Sequence, residues 1–144
     1  MKKVVLITFL LISGLAVNAQ CDKELVKIAK SKLSENEVLI NEFKVKLSKA
    51  DINDPAPVAK FSQKLEEGRK YRLRTVSDNK EYNSSGILRL FESNRLLVTN
   101  HEASKDKVHE LFTFKCLKTG DYKLLITFHD GKAGCAVVII SEVK

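Results

Sequence analysis

The run Cys135-Ala-Val-Val-Ile-Ile140 is apolar at every position, and a strand with no polar face is stable only where both of its faces are covered. The fold must therefore supply strand neighbours on either side, a core beneath and a second cover above. The rest of the chain offers material for each. Tyr71, Leu73 and Thr75 alternate with Arg72 and Arg74; Phe112, Phe114 and Cys116 alternate with Thr113 and Lys115; Tyr122, Leu124, Ile126 and Phe128 alternate with Lys123, Thr127 and His129. Period-two alternation marks strands buried on one face. Asp22 to Leu33 instead places Leu25, Ile28, Ala29 and Leu33 at helical spacing, predicting one short amphipathic helix. The last strand is then expected to be central in its sheet, or covered outside by that helix.

Ser34-Glu-Asn-Glu37 has the form of a capping box, which would start a second helix. Phe43-Lys-Val-Lys-Leu47 alternates strictly, however, and predicts a strand near 39–48. Lys49 to Pro57 holds both prolines and reads as a loop. Further strands are expected near 58–65, 70–76, 86–92, 95–101, 108–117, 121–129 and 135–142, with His129 to Gly134 read as a hairpin loop. About eight short strands at this spacing indicate a sandwich or a barrel.

The N-terminus has a different character. Lys2 and Lys3 precede an apolar run from Val4 to Ile12 and small residues ending at Ala19, the pattern of a secretory signal. That run is shorter than the roughly 20 apolar residues of a membrane span. Residues 1–19 are thus expected to be a signal peptide, 20–36 an N-terminal helical segment and 37–144 the β-domain, with no transmembrane segment in the mature chain. Gln20 before Cys21 departs from the lipoprotein pattern Leu-(Ala/Ser)-(Gly/Ala)-Cys, so a soluble periplasmic or extracellular protein is expected in preference to a lipoprotein. The formal charge is +7, a basic balance that favours acidic partners through fields screened within roughly 8 Å. Arg72, Arg74 and Arg89 share strand phases opposite the core and would form one basic binding face if their strands lay in one sheet.

Little in the sequence carries catalytic chemistry. Three cysteines in an oxidising compartment suggest one disulfide and one thiol. On the hairpin reading Cys116 and Cys135 lie too far apart to pair, which makes Cys21 the expected partner of one of them; three buried unpaired thiols remain the alternative. His101, His109 and His129 have no fixed spacing to a cysteine, and His129 is expected to be exposed. No metal motif is present, and Asp51-Ile-Asn53-Asp54 lacks the glycine and terminal glutamate of a calcium loop. Neither a cofactor nor a nucleic-acid partner is expected, since the aromatics occupy core phases and the chain has no Trp. Thr119, Gly120 and Tyr122 read as a structural corner: the glycine supplies positive φ, and the tyrosine buries its ring and returns its hydroxyl to the backbone.

Phe61, Leu65-Glu-Glu-Gly68-Arg-Lys-Tyr71-Arg-Leu, Leu88-Arg-Leu90-Phe-Glu, Phe112-Thr-Phe114 and Thr119-Gly120-Asp-Tyr122 together resemble bacterial pre-peptidase C-terminal (PPC-like) domains over residues 58–142. The resemblance implies a jelly-roll-like antiparallel β-sandwich that binds carbohydrate or protein. The whole chain also looks like small exported proteins of Bacteroidetes. The expected protein is a non-catalytic β-sandwich binding a protein or glycan at the cell envelope. The alternative is a structural or inhibitory protein contacting another exported protein, and a hydrolase ranks last.

Overall fold

The computed structural model describes residues 17–78 and 85–144, with side chains from residue 23 onward. The signal-peptide reading falls mostly outside these residues. A helix, α1 (Val17–Ser31), spans the expected junction after Ala19 and precedes ten strands among the described residues: β1 (Glu37–Leu47), β2 (Ala59–Leu65), β3 (Lys70–Ser77), β4 (Gly86–Glu92), β5 (Arg95–Thr99), β6 (His101–Glu102), β7 (Lys107–Val108), β8 (Leu111–Lys115), β9 (Gly120–Phe128) and β10 (Gly134–Val143). Strands β6 and β7 form a two-residue ribbon. The other eight make two four-stranded sheets, ordered β1-β10-β3-β8 and β2-β9-β4-β5, with every strand pair antiparallel. Only β4 and β5 are consecutive strands within one of these sheets. Every other step crosses to the opposite sheet, the path of a jelly roll.

Side-chain alternation builds the core between the sheets. Val45, Leu73, Ala136, Val138 and Ile140 point inward from one sheet and Leu88, Leu90, Leu124, Ile126 and Phe128 from the other, all buried in one cluster. Strand β10 is both central and covered. Its other face contributes Cys135, Val137 and Ile139 to a second buried cluster with Val76 and with Leu25 and Ala29 of α1. Lys30 reaches Glu42 on β1 at 2.8 Å and Lys32 reaches Glu110 beside β8 at 2.7 Å, so the helix end is tied toward both edges of its sheet.

The strand expected near 39–48 is present as β1, and the hairpin expected between the last two strands requires correction. The segment Ser34 to Glu37 makes the contacts of a capping box, the Glu37 carboxylate accepting the Ser34 amide N–H at 2.7 Å, yet a strand follows instead of a helix. The motif closes a turn, and β1 takes over because Phe43, Val45 and Leu47 face the core. Strands β9 and β10, in contrast to expectation, form no hairpin: they lie in opposite sheets. A short 3₁₀ turn, His129–Gly131, joins them, with positive φ at Asp130 (56°) and Gly131 (65°). Gly134 lies against the Phe128 ring, where a Cβ would collide. This close approach lets the chain cross between layers. Glycine-bounded loops of this length serve either purpose.

The helix cover on β10 can be tested directly. Ile139→Ala should lower unfolding free energy by about 2–5 kcal/mol, the range for a truncated buried side chain, whereas Ile28→Ala, on the half-exposed side of α1, should cost well under half as much. Urea unfolding midpoints at constant m-value measure both, and equal small effects would mean that α1 does not pack on the sheet.

Candidate functional site

The stretch from Cys116 to Tyr122 forms a hydrogen-bonded corner. Tyr122 is buried and its hydroxyl donates to the Lys118 carbonyl at 2.6 Å; burial, then the Cys116 thiol beside it, pushes its pKa up to about 12. Thr119 Oγ1 accepts the Glu67 N–H at 2.9 Å, the Cys116 carbonyl accepts the Gly68 N–H at 2.8 Å, and Tyr71 Oη accepts the Glu66 N–H at 2.9 Å. These bonds lock the β2–β3 turn to the β8–β9 turn. Gly120 does not take the expected positive φ, which belongs to Gly68 (81°) across the corner. Nothing lies within 4 Å of a Cβ built on Gly120, so alanine fits there.

Cys116 is a free, fully buried thiol that donates to the Lys118 carbonyl at 3.1 Å. Cys135 is not a free thiol, and the Cys21 side chain lies outside the described residues. The expected separation of Cys116 from Cys135 holds for a different reason from the hairpin register. The backbone of Cys116 bonds to Arg69 and that of Cys135 to Asp78, at opposite ends of β3 and roughly 30 Å apart at about 3.3 Å per residue.

The three arginines do not form one face. Arg72 and Arg74 stand on β3 in the sheet covered by α1, and Arg89 stands on β4 in the other. Arg74 is 8% exposed. Its guanidinium lies 3.3 Å from Glu110 and 3.9 Å from Glu37, and Arg72 lies 3.2 Å from Glu37. Glu37 has no exposed side-chain surface and also accepts the Ser141 hydroxyl at 2.8 Å. Burial alone would raise its pKa, but the Ser34 hydroxyl and amide, Ser141 and Arg72 outweigh that and bring it down to about 2. Both arginines are therefore structural.

The outer face of the other sheet is uncovered. Pairing aligns Lys60, Leu125 and Arg89 in one row and Ser62, Lys123 and Phe91 in the next, with Leu96, 47% exposed, opposite Phe91. An open depression of about 540 Å³ lies among Lys60, Ser62, Phe91, Asn94, Lys123 and Leu125. Arg89 donates to Thr127 Oγ1 at 3.1 Å. Neither Lys60, Lys123 nor Arg89 makes an ion pair among the described residues. Arg89 is thus separated from Arg72 and Arg74, and its basic neighbours on this face are Lys60 and Lys123. Their phases could have been read from alternation on β2, β4 and β9; their adjacency depends on strand order.

A third cluster was not anticipated. The chain brings His101, Asp106 and His129 together, with Asp106 Oδ1 3.1 Å from His101 Nε2 and 2.7 Å from His129 Nε2. The His101 and His129 rings meet edge to face at 5.9 Å. The expected exposure of His129 is corrected: its side chain is 26% exposed. The Asp106 carboxylate raises its pKa above the ordinary imidazole value, and His129, then His101, lower that of Asp106. His109 turns instead to Glu102 at 3.1 Å.

No protein-family model matches the chain, and no curated protein does. Among solved structures it is similar to the crystal structure of Aeromonas hydrophila PliG, a periplasmic lysozyme inhibitor of g-type lysozyme, at 5% identity over 78% of this chain and 92% of that one, with a TM-score of 0.47. No described helix is long and apolar enough to cross a membrane.

Two measurements check the structural assignments. The folded pKa of Glu37 lies below its ordinary 4.5, so its contribution is complete above pH 4.5 and is lost as pH falls toward 2. Glu37→Gln should therefore cost on the order of 3 kcal/mol near neutrality, and the gap from the unmutated protein should close progressively in that acid window. A pH-independent gap would assign the loss to shape alone. At the corner, Tyr122→Phe should cost about 1 kcal/mol and Tyr122→Ala about 3–5 kcal/mol in chemical denaturation, with Gly120→Ala near zero; a Tyr122→Ala that is neutral to stability yet abolishes binding of an envelope partner would make the corner a recognition loop.

Proposed function

We propose that the chain is an exported, non-catalytic β-sandwich that works by contact with another exported protein, offering the outer face of the sheet β2-β9-β4-β5 to an acidic surface. The observation that carries this is the array of Lys60, Arg89 and Lys123 around the apolar floor of Phe91 and Leu125, on the sheet face that α1 leaves open. The opposite sheet spends its arginines on Glu37 and Glu110. A basic rim over an apolar centre suits a protein interface, in which charge steers encounter and the centre excludes water. A sugar platform would instead present rings for stacking, and the chain has no Trp. Cys116, the free thiol described, is sealed in the core beside Tyr122, which supports a structural role for it. Export rests on the basic start and short apolar run of the leader.

The test is retention of acidic proteins from an envelope extract on the immobilised mature chain. One protein should be held in a fixed ratio and released by moderate salt. Charge reversal by Lys60→Glu, Arg89→Glu and Lys123→Glu should reduce retention at least tenfold while the melting temperature stays constant, and Lys27→Glu on α1 should leave it unchanged. Retention that survives the triple reversal, or that is confined to polysaccharide, would sink the reading.

A further inference from the structure

The cluster at the end of the sandwich has the composition and shape of a metal site. His101 opens β6, Asp106 follows the 3₁₀ turn Ala103–Lys105 in the ribbon loop, and His129 begins the turn that carries the chain from β9 to β10. One nitrogen from each histidine and one carboxylate oxygen lie within 4.8 Å of one another. We infer that His101 Nε2, His129 Nε2 and a carboxylate oxygen of Asp106 bind a divalent transition-metal ion of the zinc class, with solvent completing the coordination.

The geometry needs little adjustment. Zinc holds imidazole nitrogen and carboxylate oxygen at about 2.0–2.2 Å, which sets tetrahedral ligand atoms roughly 3.3 Å apart, close to the 3.1 Å and 2.7 Å found between the nitrogens and Asp106 Oδ1. Two imidazoles and one carboxylate are donors that zinc accepts readily, and a set of three protein ligands leaves a position open. That position faces water, since the Asp106 side chain is 66% exposed while the two histidines are only 20% and 26% exposed. Asp106 holds its place with φ 47°, a left-handed conformation that Asp and Asn tolerate.

A second contact points the same way. For Nε2 to bind a metal, the imidazole proton must sit on Nδ1, and metal-bound histidines usually donate that proton to a carboxylate or carbonyl. His129 Nδ1 lies 3.0 Å from Asp130 Oδ2. Asp130 itself occupies a left-handed conformation, φ 56°, which turns its side chain back onto its neighbour. Without metal, Asp106 alone bridges the two rings; with metal, Asp130 fixes the tautomer and Asp106 becomes a ligand. The ion would tie the β6–β7 ribbon loop to the β9–β10 crossing.

The experiment uses the mature chain stripped with EDTA and titrated calorimetrically with zinc chloride. One ion should bind per chain with a rise in melting temperature. His101→Asn with His129→Asn should abolish both effects, Asp106→Asn should weaken binding while keeping the backbone conformation, and Asp130→Asn should weaken it about 10–100-fold. His109→Asn, outside the cluster, should match the unmutated protein. Circular dichroism in EDTA confirms that each variant is folded. A readout free of any substitution is diethyl pyrocarbonate labelling: zinc should protect His101 and His129 and leave His109 reactive. Equal labelling of all three with and without zinc, or zinc binding that the double variant retains, would overturn the site.

Discussion

The two-sided burial of β10 is the constraint on which the other elements depend. Val138 and Ile140 must meet the opposite sheet, while Val137 and Ile139 must meet something else, and all four are fully buried. A two-layer sandwich cannot satisfy that alone. The helix α1 supplies the third layer with Leu25 and Ala29, at the modest cost of ordering one short segment. Fully burying a Val or Ile side chain is worth about 1.5–3 kcal/mol relative to exposure, so leaving Val137 and Ile139 in water would cost several kcal/mol. That is a substantial fraction of the roughly 5–15 kcal/mol that stabilises a typical domain.

Closing that third layer creates a polar problem, because α1 ends over Arg72 and Arg74. Charges taken out of water are tolerated only when paired and hydrogen-bonded. Glu37 resolves this: it stands at the first position of β1 and accepts from Ser34, Ser141 and Arg72, with Glu110 taking the rest of Arg74 and Lys32. One carboxylate thereby ties the helix-to-strand turn, β10 and β3 together. The network also fixes where α1 stops, since a longer helix would carry Glu37 away from both arginines.

The sequence exposed the strands because most are half-buried, and half-burial writes itself as alternation: β3, β8 and β9 read this way almost residue by residue. The helix and the central place of β10 were legible for the same reason. Partnership between strands was not. Whether β9 and β10 pair or cross depends on which sheet needs each apolar face, and His129 to Gly134 fits either outcome. That one ambiguity propagated. It placed His129 in solvent, whereas the crossing sets it beside Asp106 and His101, 23 and 28 positions earlier in the chain. Arg72 and Arg74 were misread because alternation reports only which side of a strand a residue takes. What covers that side is decided by α1, nearly fifty residues away.

The same topology leaves the two outer faces of the sandwich in different states, one covered and one open. The sheet containing β10 is covered over Val137 and Ile139 by α1, and its Arg72 and Arg74 are committed to Glu37 and Glu110. The sheet β2-β9-β4-β5 keeps Lys60, Arg89 and Lys123, with no ion pair among the described residues, around Phe91, Leu125 and Leu96, and burying these apolar groups gains free energy. The histidine cluster sits at neither face but where a sheet crossing meets the ribbon loop. Loops at the end of a rigid sandwich can bring distant residues together without disturbing the core. The core, the open sheet face and the histidine cluster can therefore vary separately in this fold, because each draws on a different part of the chain: the inward phase of the strands, the outward phase of one sheet, and the turns between them.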